Sequence, residues 1–309
     1  MSVSAQDSAF SGPRTGGAPD ADRKGMLQES AAGDPIYDFS TPPGAPALCA
    51  PDSVLWRITK NPISMSIGGV CAVLLEFAEP RVRSGVWDHS IFPLDPIKRA
   101  KRTGMAAMMT VYGPAEDARK LIAGVTRLHS RVKGRTPEGQ DYTALDPALT
   151  NWVSATTSYG FPKAYSLYVS ELSPAEIDQA YREGEEGAKL FRAPNPPKSE
   201  AEFLALLDEM RPNFRPSPIV QDFLKISAEK SALPPPLSWL KGMIARAGVD
   251  MLPPDVRRTL ELGPEYDLKN WERRLLKWAG RRLDKVCVKK APPAQACLRM
   301  GLAADYLYR

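Results

Sequence analysis

Pro62-Ile63-Ser64-Met65-Ser66-Ile67-Gly68-Gly69-Val70-Cys71-Ala72-Val73-Leu74-Leu75 is the most apolar stretch of the chain, and it carries no charge. It is shorter than the roughly 20 apolar residues a helix needs to cross a bilayer. Together with its Gly68-Gly69 pair, this makes it a buried core helix, running from 62 to about 77, rather than a membrane span. Upstream, Asp52 stands as N-cap for a helix over Ser53–Thr59. Residues 1–45, rich in Ser, Gly, Ala, Asp and Pro, hold too little apolar surface to offset ordering entropy. They are expected to form a mobile tail ahead of one helical domain over 46–309. No signal-peptide core is evident in them.

Downstream, Glu79-Pro80 reads as a short connection and Gly85-Val86-Trp87-Asp88-His89-Ser90 as a turn. Asp95-Pro96 opens a helix to Tyr112, with Asp as cap and Pro in the first turn. Gly113-Pro114 ends it and starts another, to about Lys133, closed by Gly134. A polar loop over 135–143 precedes Asp146-Pro147 and a long helix to about Ser170, kinked at Pro162. Ser173-Pro174-Ala175-Glu176 and Ser199-Glu200-Ala201-Glu202 read as capping boxes, and Ser217-Pro218 as a further start. Pro234-Pro235-Pro236 is a stiff connector, followed by helices near 237–247, 254–262, 269–285 and 294–307. No segment alternates with period two over β-branched residues, so no sheet is expected. The expected fold is all-α, a single large domain of ten to twelve helices.

Composition narrows the chemistry. The 309 residues include 41 Lys+Arg against 36 Asp+Glu, a net charge of +5, and two histidines, His89 and His129. Two histidines exclude a three-histidine zinc site, and equally a facial triad with a separate histidine base. The basic clusters around Lys98–Arg102 and Arg273–Arg282 interleave with apolar helix positions, so they read as solvated helix faces and no nucleic-acid partner is expected. Cys49, Cys71, Cys287 and Cys297 form no C-x-x-C pair. A thiol inside the apolar run at Cys71 fits a reducing compartment. The expected protein is soluble and cytoplasmic, with no stable membrane span, though contact with a membrane surface to reach an apolar substrate is compatible with it.

Three groups of residues carry possible chemistry. Ile122, Val125 and Val132 lie at helical spacing from His129 and put its imidazole on an apolar helix face. A core histidine bonded to a backbone carbonyl satisfies that pattern. So does an axial ligand to a haem iron, which needs a neutral imidazole in an apolar pocket. Arg99, Arg102, Thr103 and Ala106 share a face of the 95–112 helix beside the small residues Gly104, Ala106 and Ala107. That face suits either an exposed basic stripe or close approach to a flat ligand. His89 follows Asp88, which could orient it, or it fills a structural joint.

Several stretches, in order, resemble the family that joins the rubber oxygenase catalytic domain to the ER-bound oxygenase MpaB. They are Val73-Leu74-Leu75-Glu76-Phe77-Ala78-Glu79-Pro80, Gly85-Val86-Trp87-Asp88-His89-Ser90 and Arg99-Ala100-Lys101-Arg102-Thr103. Tyr112-Gly113-Pro114-Ala115-Glu116-Asp117-Ala118, Leu128-His129-Ser130-Arg131-Val132-Lys133-Gly134 and Tyr142-Thr143-Ala144-Leu145-Asp146-Pro147 follow, then Leu172-Ser173-Pro174-Ala175-Glu176 and Leu252-Pro253-Pro254-Asp255-Val256-Arg257. The resemblance covers about residues 50–305. It implies an all-helical domain enclosing haem b, which acts with O2 on an apolar substrate, isoprenoid or otherwise unsaturated, to cleave a carbon–carbon double bond. It assigns His129 as the iron ligand and Arg99, Arg102 and Thr103 as hydrogen-bonding groups on the O2 side, with His89 as a support near the cofactor. Arg102 stands where the latex-clearing members have lysine, and an arginine polarises rather than gives up a proton. Two positions depart from the family: Glu79 replaces the histidine of Ala-His-Pro, and Ser154 that of Val-His-Ala-Thr. A haem sensor or carrier without turnover, and a haem-free binder of lipid or a partner, are the other functions such a chain could serve.

Overall fold

The structure, a computed structural model, describes Gly33, residues 37–230, Leu233 and residues 235–309. Most of the expected tail, and Pro234 of the proline run, lie outside these. Among the described residues the chain forms thirteen α-helices and one small antiparallel ladder. The helices are α1 (Val54–Thr59), α2 (Pro62–Ala78), α3 (Pro80–His89), α4 (Pro96–Tyr112), α5 (Ala115–His129), α6 (Pro147–Tyr168), α7 (Pro174–Leu190), α8 (Glu200–Met210), α9 (Pro218–Glu229), α10 (Lys241–Asp250), α11 (Pro254–Thr259), α12 (Asn270–Leu283) and α13 (Pro292–Arg299). Strands β1 (Lys133–Arg135) and β2 (Asp141–Thr143) pair between α5 and α6.

The fold is all-α, as the capping signals imply, but several local readings change. The last expected helix, 294–307, stops at Arg299, residues 235–240 ahead of Lys241 are 3-10, and the Glu202 carboxylate accepts from Lys198 rather than completing a box with Ser199. The stretch 80–89 is a helix, not a connection and a turn. Glu79 caps it by accepting from the Arg81 N–H at 3.2 Å, and Pro80 occupies the first turn, where its missing N–H has no role. The fifth helix stops at His129, not at Lys133. Ser130 ends it, and the chain turns into the β1–β2 ladder, with Gly134 paired to Tyr142. Strands of three residues are too short for an alternating pattern to register. Ser53, not Asp52, caps α1.

α2 is the axis. Asn61 caps it through two accepted N–H bonds and anchors it sideways by donating to the Gly280 carbonyl at 2.9 Å. Ile63, Ile67, Cys71, Leu74, Leu75, Phe77 and Ala78 are all at most 1% exposed. Each large aliphatic or aromatic side chain among them contributes on the order of 2 kcal/mol by leaving water. The most extensive helix–helix contact joins α2 to α6. It is close because glycine meets glycine: a Cβ at Gly68 would lie 2.7 Å from the Gly160 carbonyl, and one at Gly160 would lie 2.6 Å from the Gly68 carbonyl. α6 runs through Pro162 to Tyr168. Its Trp152 indole donates to the Leu75 carbonyl, and Tyr159 stacks on Phe203 of α8 at 4.4 Å between centroids.

A second cluster gathers Phe39, Trp56, Met109, Tyr112 and Cys297. Arg299, 1% exposed, binds it together by donating to the carbonyls of Phe39, Ala45 and Tyr112. Among the described residues, Tyr37 and Phe39 of the expected tail pack in this cluster. No single helix among the described residues is long and apolar enough to cross a membrane. The bent pair α2–α3 passes on length and composition, and α2 is buried in the core.

Candidate functional site

α4 and α5 pack on each other, and they are tied to the body at their edges, α4 on α1 and α13, α5 on α7. Among the described residues neither packs extensively on α2 or α6. The burial pattern shows the consequence. In α4 nothing between Ile97 and Met108 is buried, and in α5 only Ala118 and Ile122 are. Across from them, single stripes of otherwise buried helices stay half-covered: Gly69, Val73 and Glu76 on α2, and Ser154, Thr157 and Phe161 on α6. A slot therefore separates the α4/α5 layer from the α2/α6 layer.

Three charged or titratable groups meet at this slot. His129, at the last turn of α5, is reached by solvent, yet protein crowds it closely enough to lower its pKa. Desolvation is the larger cause, and the nearby Arg99 charge adds to it. Both effects favour a neutral imidazole with a free lone pair. Glu76 on α2 has the same double character, half-covered by surface area but enclosed by protein. Its pKa is raised to about 7 by desolvation, against the opposing pull of Arg99 and of the Thr156 hydroxyl, whose hydrogen is shared between the Val153 carbonyl at 2.8 Å and Glu76 Oε1 at 3.3 Å. Arg99 thus lies within electrostatic range of both groups.

Glu76 gives a pH prediction. The folded chain holds on to a proton here that the unfolded chain releases above 4.5, so stability falls as pH rises from 4.5 to about 7. Glutamine keeps the shape and the Thr156 hydrogen bond but cannot ionise. Glu76→Gln is expected to melt at a higher temperature than wild type at about pH 8, with the difference vanishing near pH 4.5. Parallel thermal melts across that range, on protein without added cofactor, check it. Equal pH slopes in the two proteins would show that Glu76 is not buried as described.

The other expected site residues divide. Arg102, half-buried like Arg99, and the exposed Thr103 share a face of α4 with Arg99, and a Cβ at Gly104 would meet nothing within 4 Å. Thr103 donates its hydroxyl hydrogen to the Arg99 carbonyl at 3.0 Å, so in this rotamer it offers the slot a lone pair rather than a proton. His89, at the end of α3, faces the ladder instead: its Nε2 lies 3.1 Å from the Tyr142 hydroxyl, ring edge toward ring face. The departures from the family pattern also have local explanations. Glu79 is fully buried, caps α3 and pairs with Arg81 at 2.8 Å. Ser154 lies on the slot stripe of α6, its carbonyl accepting from Thr157.

Glu76 and Thr156 are site residues the sequence reading passed over. A signal was present, since Glu76 is the sole charged residue between Pro62 and Ala78. A carboxylate in the most apolar helix of a chain marks a perturbed group. All four cysteines are free, and burial pushes the Cys71 thiol far up, in keeping with an inert core thiol. An open hollow of about 410 Å³ lies elsewhere, on α12, and includes none of these residues.

An all-helical body therefore carries a slot between two helix layers, with the exposed imidazole of His129 at its edge and the half-covered carboxyl of Glu76 on its inner wall. Among the described residues no three His, Cys, Asp or Glu side chains converge as a metal site. The chain belongs to the family described as ER-bound oxygenase mpaB/B'/Rubber oxygenase, catalytic domain, which matches residues 56–283 and so spans Glu76, Arg99, Arg102, Thr103 and His129. Comparison with curated proteins and with solved structures finds no match.

Proposed function

We propose that the chain is a haem-b-dependent oxygenase acting with O2 on an apolar, unsaturated substrate. The observation that carries this is the slot itself: two helix layers held apart, with a desolvated, neutral His129 on the rim. The residues fit a haem. A porphyrin would bring four nitrogens of its own and His129 would supply the one imidazole it needs from the protein, so no convergent protein metal cluster is needed. The open space over Gly104 and the half-covered stripes of α2 and α6 leave room for a flat apolar ligand.

When bound, haem supplies the O2 chemistry that no amino-acid side chain provides. The chain's own residues do the rest. His129 offers a ring-nitrogen lone pair, kept free because desolvation and Arg99 both oppose protonation. Arg99 and Arg102 would offer fixed positive charge and N–H donors to an anionic oxygen in the slot, and neither surrenders a proton. Glu76, half-protonated near neutrality, holds a proton at its carboxyl oxygens that it can give or take, and the Thr156 hydroxyl orients it. Val73 and Phe161 offer apolar wall to an alkene and keep water away from it.

Titration with haemin tests the reading. The purified chain is expected to take up one equivalent and to show a Soret band, then a shifted band on reduction under CO. Products of alkene cleavage under O2 separate an oxygenase from a haem carrier or sensor. A chain that stays colourless overturns the proposal.

A further inference from the structure

We infer that the outward face of α12 docks on an anionic membrane surface, an assignment that rests on the surface alone and not on haem. The inward face of this helix, with Leu276, Ala279 and Gly280, is buried against the body. Its outward face repeats at helical spacing as Trp271, Arg274, Trp278, then Arg281 and Arg282, then Lys285, all exposed. Trp271 is 54% exposed and Trp278 59%. Just beyond the helix, Val286 and Val288 are 50% and 55% exposed, and Lys289 and Lys290 extend the positive charge. The sequence alone reads this stretch as a solvated helix face, and two exposed indoles on the charged stripe do not fit that reading.

The acids of this segment are turned inward and already neutralised. Glu272 accepts from Arg246 at 2.5 and 3.1 Å, and Asp284 from Lys60 at 3.1 Å. Among the described residues no carboxylate pairs with Arg274, Lys277, Arg281, Arg282 or Lys285. With Lys289 and Lys290 these gather seven cations on and just beyond one helix face, in a chain whose net charge is +5. Trp278 sits with five of these cations around the open hollow of about 410 Å³.

The chemistry selects lipid over other polyanions. Lys and Arg attract anionic headgroups, and indoles settle at headgroup depth with one side apolar and one end wet. Exposed valines beside them gain by entering the acyl boundary but gain nothing from a phosphodiester backbone. Because its other face is packed, α12 lies flat in the interface and the body docks as a peripheral protein. Long cationic side chains around Trp278 can keep their charges at the phosphates while their stems cover apolar surface.

Co-sedimentation of the full chain with vesicles tests this. Binding is expected to phosphatidylcholine vesicles containing phosphatidylserine and not to phosphatidylcholine alone, with a blue shift of tryptophan emission and weakening at high salt. Two exposed-surface variants separate the contributions, each checked for native circular dichroism. Trp271→Ser with Trp278→Ser, and Arg274→Glu with Lys277→Glu and Arg282→Glu, are each expected to lower the partition coefficient by about tenfold or more. Equal binding to both vesicle types overturns the proposal, as does anionic binding unchanged in both variants. Retention on transfer RNA without vesicle binding likewise overturns it, in favour of a nucleic-acid surface.

Discussion

His129→Ala is expected to remove the Soret band that haemin titration raises in the wild-type chain, while leaving the fold intact. The two halves of this expectation have separate causes. His129 is reached by solvent at the end of α5, where the helix already stops, and its neighbours Leu128 and Ser130 are exposed as well. A truncation there leaves no enclosed cavity, so stability is expected to change by about 0.5 kcal/mol or less. The chemical loss is complete by comparison. His89, the other imidazole, is engaged with the Tyr142 hydroxyl at 3.1 Å. Added imidazole is expected to restore a Soret band in His129→Ala, because the vacated position is open to solvent. A variant that binds haemin as tightly as wild type would move the ligand elsewhere. A variant that loses both the band and its cooperative melt would show that His129 is structural. His89→Ala is the matching control and is expected to keep the band.

The sequence makes the fold class readable because most helices announce their starts chemically. Asp95-Pro96, Asp146-Pro147, Ser173-Pro174 and Ser217-Pro218 each place a side-chain acceptor before a proline, and each begins a helix. The misreadings arise where signals compete. Gly85 inside 80–89 suggests a turn, but Glu79 and Pro80 together set up a helix start, and a single glycine costs too little to stop it. Gly134 looks like a helix terminator and is instead a strand residue, because the helix had already ended at Ser130. The site was half legible. Helical spacing puts Arg99, Arg102 and Thr103 on one face, and resemblance picks out His129. The separation between the α4/α5 and α2/α6 layers is a tertiary property, however, and no window of sequence reports it. Glu76 fell between the two kinds of reading: it sits inside a stretch whose apolar character was taken as core, and its partners Arg99 and Thr156 come from other helices.

Gly160→Leu is expected to be the most destabilising single change in the molecule outside the slot. Helices α2 and α6 meet at Gly68 and Gly160, where each Cβ position lies within 2.7 Å of the opposite carbonyl oxygen. That is nearer than any real side-chain carbon approaches, so even alanine forces the backbones apart. Ala72 Cβ lies 3.6 Å from the same Gly160 position, so there is no room for a leucine to turn aside on that flank. Relief must come from moving α2, which is anchored by Asn61 on Gly280 at one end and walled in by α10, where a Cβ at Gly248 would collide with Val70. Overpacking in such a site costs roughly 3 kcal/mol or more, corresponding to a fall in Tm on the order of 10 °C. The displacement would also reach the slot, because Phe161 follows Gly160 and faces Gly69, and Thr156 lies one turn before it, 3.3 Å from Glu76. Thermal melts read the first effect and haemin affinity the second. Gly104→Leu serves as the control on α4, where nothing lies within 4 Å: its melt should match wild type, and any loss should appear in haemin uptake alone. If Gly160→Leu melted like wild type, the glycine contact would not be the one that holds α2 against α6. Weaker haemin binding with an unchanged melt in that variant would place Gly160 on the wall of the slot rather than in the core.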